Sequence, residues 1–109
     1  TSMNYSGQWR ITEMEQWDSE YLDMDVPAYI TIDAQGSGDF QFGLVCGQLD
    51  GDVIKEADQE RFDFTWEGND ESDEASGSGW LKLEGKTKLT GRIKIHRGDD
   101  SDLIAERMT

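Results

Sequence analysis

Short runs in which every second residue is apolar recur along the whole chain. A period of two places alternate side chains on one face of a β-strand. The pattern therefore predicts half-buried strands around one shared interior. Its apolar positions are Trp9 and Ile11, Ile30 and Ile32, Phe40, Phe42, Leu44 and Cys46, Phe62, Phe64 and Trp66, Leu81 and Leu83, Leu89, Ile93 and Ile95, and Leu103 and Ala105.

Glycine-rich sequences separate these runs, and the chain holds twelve Gly but one Pro. We interpret residues 35–38, 50–51, 84–86 and 97–100 as turns between neighbouring strands, with a further short strand starting at residues 53–54. Tight turns between successive strands make an antiparallel meander, and closure of a meander into a barrel removes its exposed edges. We predict one all-β domain over residues 1–109, an up-and-down barrel of seven or eight strands. An open two-sheet sandwich is the alternative.

The segment after the first strand has helical rather than alternating spacing. Thr12 and Glu15 fit a capping box, with Thr12 as the N-cap. Met14, Trp17 and Tyr21 then form a stripe at helical intervals. We predict one short helix over residues 13–22, ended before Pro27 and lying across one end of the barrel.

Residues 67–79 form the one long polar stretch, which we interpret as a mobile loop. Four of its acids are candidate cation ligands, namely Asp70, Glu71, Asp73 and Glu74. No turn defines their geometry, so a solvated acidic loop is the simpler interpretation. A second weak cluster follows at Asp99, Asp100 and Asp102. Zinc prefers His and Cys, of which the chain has one each. We predict no metal site and no cofactor.

The chain carries 24 acidic and 10 basic residues, for a net charge of −14. Of these, 19 acidic and 3 basic residues lie within residues 1–81. A chain with this negative charge repels nucleic acids and anionic membranes. We therefore expect neither as a partner. A cationic partner fits this charge, although solubility alone also explains it. With one cysteine, Cys46, interpreted as a small core residue, and no signal-peptide pattern, we expect a cytoplasmic location.

Three aromatic residues lie outside the alternating pattern and are candidates for a binding surface. Trp17 and Tyr21 lie on the predicted helix, and Trp80 is out of phase with Leu81 and Leu83. If exposed, the three would form the centre of a partner or ligand surface rimmed by acids. The alternative is structural, with the helix sealing the barrel end and Trp80 packing under a loop.

Catalytic motifs are weak in this sequence. His96 is the one histidine, and Ser101, Asp99 and Asp100 follow it on a turn, where spacing does not define a Ser-His-Asp triad. Paired carboxylates of the glycosidase kind have no discriminating value among 24 acids. We interpret His96 as a solvent-facing residue and predict that the protein is not an enzyme.

Gly7 and Trp9 form a Gly-x-Trp sequence near the start of the chain, and Arg107 lies in phase with Leu103 and Ala105 near its end. These residues resemble those of the calycins, the group of β-barrels that includes lipocalins, avidins and fatty-acid-binding proteins. The resemblance implies that Arg107 lies over Trp9 and closes the base of the barrel. Residues 66–71 and 96–101 also look like segments of a family of small uncharacterised prokaryotic proteins, a resemblance that implies no activity.

Three hypotheses for the function follow. The first is a small non-enzymatic domain that binds a partner protein or self-associates, through Trp17, Tyr21 and Trp80. The second, implied by the calycin resemblance, is a binder of a small apolar molecule inside the barrel. The aromatic residues already assigned to the interior favour a filled core, since an eight-stranded barrel is only just wide enough for its own side chains. The third is a hydrolase with an acidic cleft.

Overall fold

Eight antiparallel strands close into a barrel in which each strand pairs with its neighbours in sequence and β8 pairs with β1. The computed structural model describes residues 5–23, 27–56 and 59–108. The strands are β1 (Gly7–Met14), β2 (Tyr29–Ile32), β3 (Ser37–Phe42), β4 (Val45–Glu56), β5 (Gln59–Asp70), β6 (Asp73–Glu84), β7 (Lys88–Ile95) and β8 (Asp100–Arg107). A four-residue helix, α1 (Ser19–Leu22), follows β1. The predicted all-β up-and-down barrel is confirmed.

The interior is filled by aromatic rings that lie over glycines of adjacent strands. Phe64 is paired with Gly51 on one side and with Gly79 on the other. A Cβ atom at Gly79 would lie 2.6 Å from Phe64 Cζ, and one at Gly51 would lie 2.7 Å from Phe64 Cβ. These strand glycines therefore make room for the ring between them, which explains why strands rich in glycine still form a dense core.

The rings also contact one another across the barrel. Phe40 meets Trp66 edge to face with 5.2 Å between ring centroids, an arrangement that aromatic pairs prefer. Phe62 stacks on Phe64 at 6.1 Å and on Tyr5 at 5.6 Å. All five side chains are at most 5% exposed, so this part of the interior is occupied by the protein's own side chains.

Arg107 and Trp9 meet at one end of the barrel. The Arg107 guanidinium carbon lies 4.2 Å from the centre of the Trp9 ring, which is fully buried. Gly7 makes this approach available, because a Cβ there would lie 2.7 Å from Arg107 Nη1. The guanidinium also donates from Nη1 to the Ser6 carbonyl at 2.9 Å and from Nε to the Lys86 carbonyl at 3.1 Å.

The predicted strand over residues 39–46 is wrong in its second half. Gly43 has a φ of 58°, a left-handed conformation that glycine adopts freely, and the chain turns at Gly43 and Leu44. Cys46 consequently lies on the outer face of β4 and is half-buried rather than a core residue. The predicted turn at residues 50–51 is wrong as well, because β4 continues through it to Glu56.

The predicted mobile loop at 67–79 is a regular β-hairpin. β5 continues to Asp70 and β6 begins at Asp73, so only Glu71 and Ser72 form the turn. The glycines of this segment made it look like a loop, whereas in the structure they occupy inner positions. A Cβ at Gly77, for example, would lie 2.8 Å from Trp66 Nε1.

The predicted helix over 13–22 is too long. β1 continues to Met14, and the Thr12 hydroxyl donates to the Ile104 carbonyl of β8 at 3.2 Å instead of capping a helix. Asp18 takes the capping role for α1, since its carboxylate accepts from the Tyr21 amide at 3.0 Å. The short helix does lie at one end of the barrel, as predicted, and Leu22 is buried there.

Candidate functional site

A broad depression crosses the outer face of strands β3 to β7, and we call it the polar groove. It consists of two adjoining hollows of about 1080 and 990 Å³. Both are lined by the same four side chains, Gln48, Glu67, Ser76 and His96. We take this groove as the candidate site because its two hollows adjoin along a shared row of polar side chains.

Strand register places the groove residues side by side. Gln48 of β4, Glu67 of β5 and Ser76 of β6 are directly opposite one another. Because alternate residues point to opposite faces, these three point outward while Leu49 and Trp66 point into the core. The next outward row along the strands holds Asp50, Thr65, Ser78 and Lys94.

Most polar side chains of the groove have unused hydrogen-bonding capacity. Besides Glu74, Lys94, His96 and Arg97, six groove residues among those described make no side-chain hydrogen bond to another protein group, namely Gln48, Thr65, Glu67, Asn69, Ser76 and Ser78. Their amide and hydroxyl groups both donate and accept, and the carboxylate accepts. The groove therefore presents an array of groups that are available to a bound molecule.

The adjoining outer surface of β7 and β8 differs, because its polar groups are paired with one another. Arg92 of β7 donates to Asp100 at 2.7 Å from Nη2, forms an ion pair with Asp102, and lies 3.7 Å from a Glu15 oxygen. Hydrogen bonding to Arg92 lowers the pKa of Asp100, and the same bond raises the pKa of Arg92. This network ties β7, β8 and the end of β1 together, which indicates a structural role.

The charges of the groove are mixed. Glu67 and Glu74 lie towards its centre, while Lys94 and Arg97 lie at its β7 side. At the β3 side, the Tyr29 hydroxyl donates to Asp39 at 3.1 Å, and the pKa of Tyr29 is raised by burial and then by this carboxylate. A surface with both signs and many neutral polar groups fits a polar molecule better than an apolar one.

His96 and Glu67 both line the groove, but the candidate triad residues His96 and Ser101 are not brought together. His96 is exposed, as predicted, and its backbone amide donates to the Ser76 carbonyl at 2.7 Å. Ser101 is fully buried, and its hydroxyl accepts from the Gln16 amide at 3.1 Å and donates to the Asp102 carbonyl at 2.9 Å. The serine oxygen is therefore already committed to holding the backbone near β8.

Over residues 5–23, 27–56 and 59–108, no group of three or more His, Cys, Asp or Glu side chains is arranged to hold a metal ion. The acidic residues 70–74 surround the tight turn of the β5–β6 hairpin. Asp100 and Asp102 are instead paired with Arg92.

The three aromatic residues proposed as a binding surface lie in two separate places. Trp17 packs on Phe42 with 4.9 Å between ring centroids and stacks on Tyr21 at 6.1 Å, so both rings lie over the α1 end of the barrel. Tyr21 also covers Gly43, where a Cβ would lie 2.2 Å from its ring. Trp80 lies on the outer face of β6, half-buried, with Lys82 Nζ at 5.9 Å from its ring centre.

The groove was not predicted from the sequence because Ser76 and Ser78 on β6 are small and lie in a segment that resembles a loop. One signal was present, since Ser76, Ser78 and Trp80 alternate with Gly77 and Gly79. That alternation is strand-like if glycine is accepted as an inner residue. Which outward residues become neighbours depends on the register of four other strands, which no local pattern contains.

Comparison with protein-family models, with curated proteins and with solved structures finds no match to this chain. The calycin resemblance thus stays a prediction based on Gly7, Trp9 and Arg107. In the part of the chain that the structure describes, no helix has the length and apolar character needed to cross a bilayer.

Proposed function

We propose that this protein is a non-enzymatic protein-interaction domain that receives its partner in the polar groove. The observation that carries the proposal is the array of six outward polar side chains with unused hydrogen-bonding capacity. Around Arg92, by contrast, the charged side chains form ion pairs with one another.

The dimensions of the groove favour a macromolecule over a small ligand. It crosses five strands, and at a strand spacing of about 4.8 Å this corresponds to roughly 19 Å. It stays open to solvent, whereas small-molecule sites bury most of the ligand. Polar surfaces with hydrogen-bonding groups of both kinds are typical of non-obligate protein interfaces. The rings that fill the interior leave the hypothesis of an apolar ligand inside the barrel with less support.

Site-specific photo-crosslinking in the host cell tests this proposal. A benzophenone amino acid replaces Ser76 in the groove or, as the matched control, Glu106, which is exposed on the outer face of β8. We expect a crosslinked species of defined mass from position 76 and none from position 106. A species with twice the mass of the chain identifies self-association. No product from either position, or the same products from both, refutes the groove as a binding surface.

A hydrolase remains the second candidate, because His96 and Glu67 line the same groove. Both side chains are exposed to water, which screens the charges that acid–base catalysis relies on. A turnover with a glycoside or ester substrate that disappears in both the His96→Ala and Glu67→Gln variants, but not in Glu106→Gln, would support this candidate over the first.

A further inference from the structure

Strand β4 is much longer than its neighbour β3 and leaves part of its edge uncovered. β3 pairs with β4 only as far as Ser37 opposite Asp50, and one more bond follows, from the Gly51 amide to the Gly36 carbonyl at 2.9 Å. On its other side β4 pairs with β5 through to its last residue, Glu56. Beyond Gly51, no residue within the described ranges pairs with β4 on the β3 side. We call residues 52–55 the β4 edge.

The direction of the backbone groups on this edge follows from the ladder. In an antiparallel pair, successive residues bond alternately to the strand on one side and to the strand on the other. The Gly51 amide points to the β3 side, so the amide and carbonyl groups of Val53 and Lys55 point to that side as well. Neither residue has a bonding partner there among the described residues. The Ile54 side chain, which is 36% exposed, adds an apolar group to this edge.

We propose that the β4 edge accepts an extended strand of the partner protein, which adds to the sheet beside β4. This inference rests on the proposed function in that it takes the partner to be a protein. An unpaired row of backbone amides and carbonyls is complementary to the edge of another strand. The edge also continues directly from Asp50, which lines the polar groove, so one partner reaches both surfaces.

The charges around the edge define the chemistry of the incoming strand. Asp52 is exposed and lies opposite Asp63 of β5 on the outer face, and Ile54 is the next outward residue of β4. Opposite charges in directly facing pairs stabilise a sheet, as do paired apolar side chains. The strand therefore carries Lys or Arg opposite Asp52 and an apolar residue opposite Ile54, two positions away. A second copy of this chain is less suitable, since each copy carries a net charge of −14.

Synthetic peptides test whether the β4 edge prefers a strand that carries a cationic residue opposite Asp52. The probe is a short acetylated peptide in which Lys and Val alternate at every second position with Thr between them, and its counterpart carries Glu in place of Lys. We expect the Lys peptide to bind and the Glu peptide to bind at least tenfold more weakly. The Asp52→Lys variant should reverse this preference, while Glu13→Lys on β1 changes the net charge equally and keeps it. Equal binding of the two peptides, or the same effect from both variants, overturns the inference.

A second pair of variants tests the backbone bonds. Lys55→Pro removes an amide from the open side without removing a bond to β5, and proline is tolerated on strand edges for this reason. Lys55→Ala loses the same side chain and keeps the amide. We expect Lys55→Ala to bind the Lys peptide like the wild type and Lys55→Pro to lose binding about tenfold or more. Equal affinities of these two variants refute the strand-addition geometry.

Hydrogen exchange of the wild type gives an answer that does not depend on the folding of any variant. The Lys peptide should slow exchange at the Val53 and Lys55 amides, and unchanged exchange at saturating peptide contradicts the inference. Crosslinking from Ser76 that persists when the peptide results are negative would mean that the β4 edge inference fails while the proposed function stands. If neither crosslinking from Ser76 nor peptide binding is observed, the β4 edge inference and the proposed function both fail.

Discussion

The contact of Arg107 with Trp9 makes a quantitative prediction for the stability of the barrel. In Arg107→Ala, the guanidinium loses its position over the Trp9 ring and its two bonds to the Ser6 and Lys86 carbonyls. A partly shielded cation–π contact contributes about 1 kcal/mol. Bonds from a charged donor contribute about 1.5–3 kcal/mol each when fully desolvated, and less here because Arg107 is half-buried.

Because water replaces Arg107 at both carbonyls, we expect a total loss of about 2–3 kcal/mol in the free energy of unfolding. For a domain of this size that corresponds to a fall of about 10 °C in the melting temperature. Arg107→Lys should recover less than half of the loss, since an ammonium keeps the charge but not the planar set of donors that reaches two carbonyls at once.

Urea denaturation followed by tryptophan fluorescence and by circular dichroism measures these free energies. Lys86→Ala is the matched control, because it removes an exposed cationic side chain at the same barrel end and should change stability by less than about 0.5 kcal/mol. If Arg107→Ala lowers the free energy of unfolding by no more than Lys86→Ala does, or if Arg107→Lys is as stable as the wild type, this end of the barrel does not depend on the stacked guanidinium.

Three further predictions follow from burial and charge. Trp9→Ala should cost about 3–5 kcal/mol in the same denaturation assay, because the ring is fully buried, and a loss below about 1 kcal/mol would contradict that burial. Moderate salt should raise the melting temperature measured at low ionic strength, since it screens the repulsion of a chain at −14, and a flat dependence would show that this repulsion is negligible. Arg92 holds the pKa of Asp100 below its ordinary value of 3.8, so this carboxylate stabilises the fold fully above that pH and ceases to do so as the pH falls through the lowered pKa. The stability difference between the wild type and Asp100→Asn should accordingly be constant near neutral pH and vanish in strong acid, and a difference that persists there would exclude this ion pair as its cause.

The alternation of large apolar residues was sufficient to predict the barrel and the inward phase of its best strands. Phe62, Phe64 and Trp66 all point inward, as predicted, because a one-residue slip would expose all three rings. The stacking of Arg107 on Trp9 was also predictable, although from a resemblance and not from the pattern. No glycine or proline interrupts residues 62–66, so the local sequence agrees with a strand there.

The errors at residues 39–46, 50–51 and 67–79 share one physical cause, which is that a glycine in a strand and a glycine in a turn look alike in the sequence. Gly51 seemed to mark a turn, yet it is the inner residue beneath Phe64. Gly43, inside a run that looked continuous, is the true turn residue with a positive φ. The difference depends on which ring of a neighbouring strand lies over each glycine, and that information is tertiary.

The same unequal strand lengths account for both proposed surfaces. β4, β5 and β6 have 12 residues each, whereas β3 has 6 and β7 has 8. At one end, β6 extends past the last β7 pair at Gly77 and Ile95, which leaves the outward residues of the β5–β6 hairpin as the floor of the polar groove. At the other end, β4 extends beyond the last residue of β3 that pairs with it, so part of its edge is unpaired. Unpaired strand edges promote aggregation, so proteins usually cover them. The extra residues of these strands are therefore where we expect binding, on the outside of a barrel whose interior is already full.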